Sequence, residues 1–362
     1  MTLALSFYLD LLRFGAALTV FVSHYAAGRI SGGLFWQAGS YSRTAVLAFF
    51  VLSGFVIAWV TEAREDRLGD YALSRAARLY SVVIPAFILT AVLNRLGSAI
   101  DPRLYAPVLS DNTFHAFAGY ALSALFLGES WALAILPGRN VPFWSLNYEA
   151  WYYILFAAAI FLRGRRRNAV LAGAALLAGP KILLLFPIWL LGVGAWRWRA
   201  RLPSRWGEPL LVAALTALLG LEAMGGQDLF WHPEANWLPP SYSAYDYVIG
   251  ALIALVILAL ANAKLPMPGS RWEGLVRWLA GTSFGLYLLH YPLLNFLAAM
   301  IPGPADDAIH RILVFVLALG MAVALARFIE PRKAVLRRGL LRGFEAVSGK
   351  HPTPAIEGQR AL

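Results

Sequence analysis

The sequence contains no cysteine, which excludes disulfides and thiolate chemistry and leaves the redox compartment undecided. Charge is also scarce. Only 14% of the 362 residues are charged against 59% hydrophobic, with a mean hydropathy of +0.62, whereas a soluble domain carries roughly 25% charged and 45–50% apolar residues. That deficit excludes an ordinary soluble protein and predicts a polytopic membrane protein. Several motifs are missing too: there is no P-loop, no GxGxxG phosphate loop and no GxSxG nucleophile elbow. The histidines at 24, 115, 232, 290, 310 and 351 include no HxxxH or HExxH pair, so no metal is expected. The N-terminus lacks a basic n-region and a small-residue cleavage site, and its first apolar segment is expected to be retained.

What is present is a succession of apolar segments. With about 20 residues needed to cross a bilayer, spans are predicted near 7–27, 44–62, 79–97, 142–162, 168–179, 182–196, 208–224, 243–261, 278–299 and 308–329. Gly179-Pro180 marks the turn of the short fifth and sixth pair. The net charge of +11 is not spread as in a nucleic-acid-binding protein. It clusters at 163–167 (RGRRR), 197–206 and 330–342, beside apolar segments, as the positive-inside bias requires. With the N-terminus inside, the basic stretches fall on the cytoplasmic side and the segments poor in Lys and Arg fall outside, provided that 113–128 does not cross. The expected fold is therefore an all-α integral membrane protein, a bundle of about ten transmembrane helices with both termini cytoplasmic. Residues 1–342 form one membrane domain, and 343–362 a disordered polar tail.

Ionisable residues within the spans are the functional candidates. Arg13 and His24 are eleven residues apart, three helical turns plus about 20°, so they share one helix face at depths differing by roughly 16 Å. Asp10 can pair with Arg13 at i,i+3. A snorkelling Arg and an interfacial His are the alternative. Arg75 and Arg78, three apart in "YALSRAARLYSVVIP", are expected on a short helix at the cytoplasmic face. Two guanidinium forks suit phosphate groups; contacts to lipid headgroups are the competing explanation. Glu149 lies one to two turns into an aromatic helix and shares a face with Ser145, unless it is an interfacial residue kept wet by the outer loop. His290 sits within a span ahead of Pro292, which frees a carbonyl; a hydrogen-bonded structural role is open for it. Ser53-Gly54 is expected to serve close helix packing.

Six pieces occur in order over residues 9 to about 335: "LDLLRFGAALTVFVSH", "FFVLSGFVIA", "SRAARLYSVVIP", "FWSLNYEAWYY", "GTSFGLYLLHYP" and "RFIEPRKAV". Together they resemble the membrane acyltransferase-3 family, polytopic O-acyltransferases that modify bacterial glycans and related molecules. Two departures stand out. "SRAARLYSVVIP" lacks the extra adjacent Arg and the early Pro common in the family, and the usual WSLxxExxFY pattern ends here in Trp151-Tyr152-Tyr153. The resemblance implies residence in the bacterial inner membrane. It also implies an acyl-coenzyme A co-substrate entering from the cytoplasm, acetyl-CoA by default, and no resident cofactor. The acceptor would be a hydroxyl of a cell-surface or lipid-linked glycan. No esterase-like domain accompanies the membrane domain, so that domain is expected to complete the transfer itself.

On this reading Arg13, Arg75 and Arg78 hold the nucleotide phosphates. His24 is a general base or an acyl-His relay, with Glu149 orienting its imidazole. Asp10, Ser145, Tyr148 and His290 are supporting candidates. Trp231 and Trp237 in the outer loop 225–242 offer either sugar-stacking faces or interface anchors. A glycan or lipid transporter is the main alternative, since intramembrane His, Glu and Arg suit proton-coupled transport equally; an inactive scaffold is the third. Oligomeric state is left open.

Overall fold

The computed structural model describes residues 1–105, 113–225, 243–267, 269–332, 334–339 and 341. The tail expected over 343–362 and both Trp231 and Trp237 lie outside the described residues. Among the described residues the regular structure is all helical. In chain order the helices are α1 (Leu3–Tyr25), α2 (Gly28–Ser31), α3 (Ala38–Arg64), α4 (Leu68–Ile100), α5 (Pro102–Tyr105), α6 (Thr113–Ala124) and α7 (Trp144–Phe161). They continue as α8 (Gly164–Ala178), α9 (Pro180–Trp198), α10 (Gly207–Ala223), α11 (Ala244–Leu260), α12 (Ser270–Ala280), α13 (Ser283–Met300) and α14 (Ala308–Ile329).

Among the described residues, seven helices are long and apolar enough to cross a membrane, and α11 is a shorter apolar helix. The outside of the bundle is apolar: Val212 and Leu219 on α10, and Ile309, Ile312 and Val316 on α14, are each more than half exposed. Patches of that kind are not left to water, and they fit a multi-pass membrane protein. A helix lies at each of the ten predicted spans, and α6, twelve residues long, rises about 18 Å.

Local chemistry sets the helix ends. The Thr2 hydroxyl caps α1, accepting from the Leu5 N–H at 3.2 Å. Ser243 and Asp246 form a capping box at the start of α11. Gly179, at φ +80° and where a Cβ would run into the Trp131 backbone, ends α8, and Pro180 opens α9 at the first helical position. α3 and α9 approach each other closely. A Cβ at Gly54 would run into the Trp189 carbonyl, and one at Gly192 into the Val51 carbonyl, so the two backbones meet through facing glycines.

Two boundaries differ from the sequence expectation. The segment carrying Arg75 and Arg78 is not a short separate helix: it is the first third of α4, thirty-three residues running unbroken through Pro85. The intervening residues "SRAARLY" contain no breaker, and Arg, Ala and Leu are good helix formers. The span predicted at 278–299 is split. α12 is a separate amphipathic helix, and the chain turns at Gly281-Thr282 before α13 begins.

Pro292 lies inside α13 without breaking it. It removes the N–H that would bond the Leu288 carbonyl, and the Asn140 amide supplies the missing donor at 3.0 Å. That bond ties the loop leading into α7 to the helix that carries His290.

Candidate active site

α1, α3, α7 and α13 line two cavities, with α4 adding to the first and α9 to the second. The first faces the N-terminal half of α1, has a volume of about 50 Å³ and is lined by Arg13, Ser53, Arg78, Ser145, Glu149 and Tyr287 among others. The second faces the C-terminal half, holds about 500 Å³ and is lined by His24, Arg43, Glu129, Trp144, Lys181 and Tyr287 among others. Tyr287 belongs to both walls.

The first cavity is a charged cluster. Arg13 projects from α1 and pairs with Asp10 at 3.4 Å; Arg78 projects from α4 with its guanidinium beside the Phe284 ring. The two cations lie close enough to repel, and Glu149 and Glu330 are within electrostatic range of both. Glu149 is anchored by the Ser53 hydroxyl at 2.6 Å and by the Tyr153 hydroxyl. Glu330, just beyond α14, accepts the Gly285 N–H at 2.8 Å and so is tied to the start of α13. Two guanidinium groups gathered in an apolar bundle need anions to offset their repulsion and desolvation, and these carboxylates are placed to do so.

Arg75 is a different group from its neighbour. Its guanidinium makes two bonds to the Glu65 carboxylate, at 2.8 and 2.7 Å, and rests against the rings of Tyr71 and Tyr153. It lines neither cavity. The structure therefore brings Arg13 and Arg78 together at a cavity and commits Arg75 to a buried ion pair.

At the second cavity, His24 Nδ1 lies 2.9 Å from His290 Nε2, and His290 Nδ1 lies 2.9 Å from the Leu286 carbonyl. A carbonyl only accepts, so His290 carries its proton on Nδ1. A neutral His290 then offers the Nε2 lone pair, His24 donates from Nδ1, and the nitrogen left to His24 as an acceptor is Nε2. Two bonds, the second anchored on the Leu286 carbonyl, thus fix both tautomers in series. Tyr291 stands edge-on to the His24 ring, and its hydroxyl accepts from Arg29 at 3.0 Å. Arg29 also bonds Asn295.

Glu149 does not touch His24; the orienting place expected of it is filled by His290, four residues from Leu286 on α13. Ser145 bonds the Tyr287 hydroxyl at 2.8 Å rather than Glu149. Tyr148 is buried, stacked on Phe50, and lines the second cavity. Two ion pairs lie in that cavity's wall. Lys181 pairs with Glu129 and also bonds the Leu133 carbonyl at 2.5 Å, and Arg43 meets both oxygens of the capping residue Asp246 at 2.6 Å.

Sequence reasoning missed Ser53, Tyr153, Tyr287, Glu330, Glu129 and Lys181. Ser53 carried a signal: a hydroxyl one residue before a packing glycine, on the face a quarter-turn away. Glu129 and Lys181, charges flanking apolar segments, were equally available as the ionisable-in-membrane flag.

No solved structure matches the chain. An acyltransferase from Streptomyces mycarofaciens, MdmB, is 27% identical over 328 residues, covering 79% of this chain and 78% of that protein. An O-acetyl transferase of Shigella phage Sf6 is 28% identical over 162 residues, 42% of this chain and 45% of the phage protein. The model of the acyltransferase 3 family, described as an acyltransferase domain, matches residues 6–329. A transferase, not a carrier, is what these similarities describe, and the chain belongs to the acyltransferase 3 family.

Proposed function

We propose that the protein moves an acyl group, acetyl by default, from cytoplasmic acyl-CoA to a hydroxyl of a cell-surface or lipid-linked glycan. The proposal places the chain in the bacterial inner membrane as a bundle of about ten spans with both termini cytoplasmic. The single observation that carries it is that Arg13 and His24, on one face of α1, open onto two cavities that share Tyr287. A donor with anionic phosphates at one end and a thioester at the other suits that division.

Arg13 and Arg78 bind the phosphates of the donor as bidentate forks, Glu149 and Glu330 hold the two cations in place, and Arg75 supports α4 through Glu65. The pantetheine arm spans the interval of roughly 16 Å between Arg13 and His24. His24 Nε2 takes the proton of the acceptor hydroxyl as it attacks the thioester carbon, and the protonated ring returns it to the departing CoA sulfur. An acyl-imidazole at the same nitrogen is the covalent variant. The acceptor occupies the second cavity, whose volume of about 500 Å³ falls in the range of small-molecule sites. Incubation of the purified protein with radiolabelled acetyl-CoA and a membrane glycan extract tests the reading. Transfer of label to glycan that is lost in His24→Gln supports it; label that stays on CoA in the wild type refutes it.

A further inference from the structure

Every acyl transfer from a thioester places negative charge on the former carbonyl oxygen, and an enzyme gains most by aiming a donor at that oxygen before the charge appears. On the reading above, the reaction occurs between the donor cavity and the acceptor cavity. Tyr287 is the described residue that lines both. It is one turn below His290 on α13, its ring is edge-on to Phe49, and its hydroxyl is bonded to Ser145 at 2.8 Å. The Ser145 hydroxyl in turn reaches the Pro142 carbonyl at 3.3 Å. Since that carbonyl accepts, Ser145 donates to it, and the Tyr287 proton at rest points to Ser145.

From this geometry we infer that Tyr287 is a further catalytic residue, the hydrogen-bond donor to the oxyanion; the inference rests on the acyl-CoA reading above. The acceptor oxygen bonds to the thioester carbon while its proton passes to His24 Nε2. The carbonyl π pair moves to oxygen, and the Tyr287 hydroxyl turns from Ser145 to donate to that oxyanion. Ser145, freed as an acceptor, rotates from Pro142 to donate to the Tyr287 oxygen, so the two hydroxyls form a chain polarised towards the oxyanion. Collapse re-forms the C=O bond, breaks the C–S bond, and the CoA sulfur takes the proton from His24. No group is gained or lost beyond the acyl transfer itself. Ser145 acts through Tyr287 and is a positioning residue.

The purified full-length protein is supplied with acetyl-CoA as donor and a membrane glycolipid extract as acceptor. CoA release is followed with a thiol reagent, which the cysteine-free chain does not consume. Tyr287→Phe keeps the ring and the partition between the cavities and removes only the hydroxyl. Its kcat should fall by about 10²- to 10³-fold, with the KM for acetyl-CoA and its dissociation constant within about twofold of wild type. Ser145→Ala should fall by about tenfold, and Ser145→Thr should restore much of that loss. A Tyr287→Phe enzyme with wild-type kcat, or one whose loss lies in KM, overturns the inference and leaves the reaction standing. A wild-type enzyme that releases no CoA overturns the reaction and the inference together. If Tyr287→Phe does not fold, unchanged kcat in Ser145→Ala overturns the hydroxyl chain on its own.

Discussion

Replacing His290 by Phe probes the chain of two imidazoles without touching either cavity, because His290 is fully buried behind His24 and lines neither. Phe keeps a planar ring, somewhat larger than imidazole, and removes both nitrogens. The Leu286 carbonyl keeps its helical partner, but the His24 Nδ1 proton is left without an acceptor. An unsatisfied buried donor costs about 1–3 kcal/mol. If that cost is met by the ring turning or shifting tautomer, the competent arrangement is depopulated by about 5- to 150-fold. Full inversion of the tautomer approaches the factor of about 10⁴ seen when the orienting carboxylate of a serine-protease triad is neutralised. The expected result is a kcat lowered by one to two orders of magnitude, on that scale, with the KM for acyl-CoA unchanged. The Gln variant, whose amide oxygen can accept from His24, should recover part of the loss. Steady-state CoA release, with thermal melting in detergent as a folding control, gives the answer. A His290→Phe enzyme with normal kcat would refute the series of fixed tautomers.

The remaining predictions concern neighbouring residues. Arg78→Ala should weaken acyl-CoA binding by about tenfold or more, the worth of a charge-assisted bond, read by titration with acetyl-CoA. Arg75→Ala should instead lower the melting temperature, because it leaves Glu65 as a buried unpaired charge at a cost of about 3–5 kcal/mol; a clean loss of donor affinity with normal stability would reverse the two assignments. Gly54→Leu should force α3 from α9 and cost about 1–3 kcal/mol or more, visible as reduced melting temperature and yield. Asn140→Ala orphans the Leu288 carbonyl that Pro292 exposes, and about 1–3 kcal/mol of stability should be lost; restoring an N–H by Pro292→Ala in the same protein should return much of it.

Much of the bundle could be read from the sequence because each spanning segment announces itself by composition alone. The continuity of α4 could not, since Arg75 and Arg78 suggest a surface helix unless burial by other segments is known. The same applies to α12, whose separation from α13 depends on the turn at Gly281-Thr282 and on packing beneath α1. At the site, the shared face of Arg13 and His24 followed from helical periodicity within one segment. The contacts that give that face its chemistry do not: His24 meets His290 across 266 residues, and Glu149 meets Ser53 across 96. No local pattern encodes such pairings. Arg75 and Arg78 were indistinguishable in sequence because the difference between them is a single partner, Glu65, placed by the turn before α4. Tyr287 lies in the stretch "GTSFGLYLLHYP" but is one of 15 tyrosines, and only its place in the walls of both cavities singles it out. Ser53 adjoins the packing glycine Gly54 in sequence, yet the helix turns the two positions to different neighbours, Glu149 and α9.

The central claim is that His24 Nε2 handles the proton in acyl transfer. Its most direct test is single-turnover transfer from radiolabelled acetyl-CoA to membrane glycan by purified His24→Gln, with donor binding measured on the same sample. The account predicts transfer lowered by about 10²- to 10⁴-fold while acetyl-CoA affinity stays within about twofold of wild type. Transfer at a near-normal rate by that variant would contradict it.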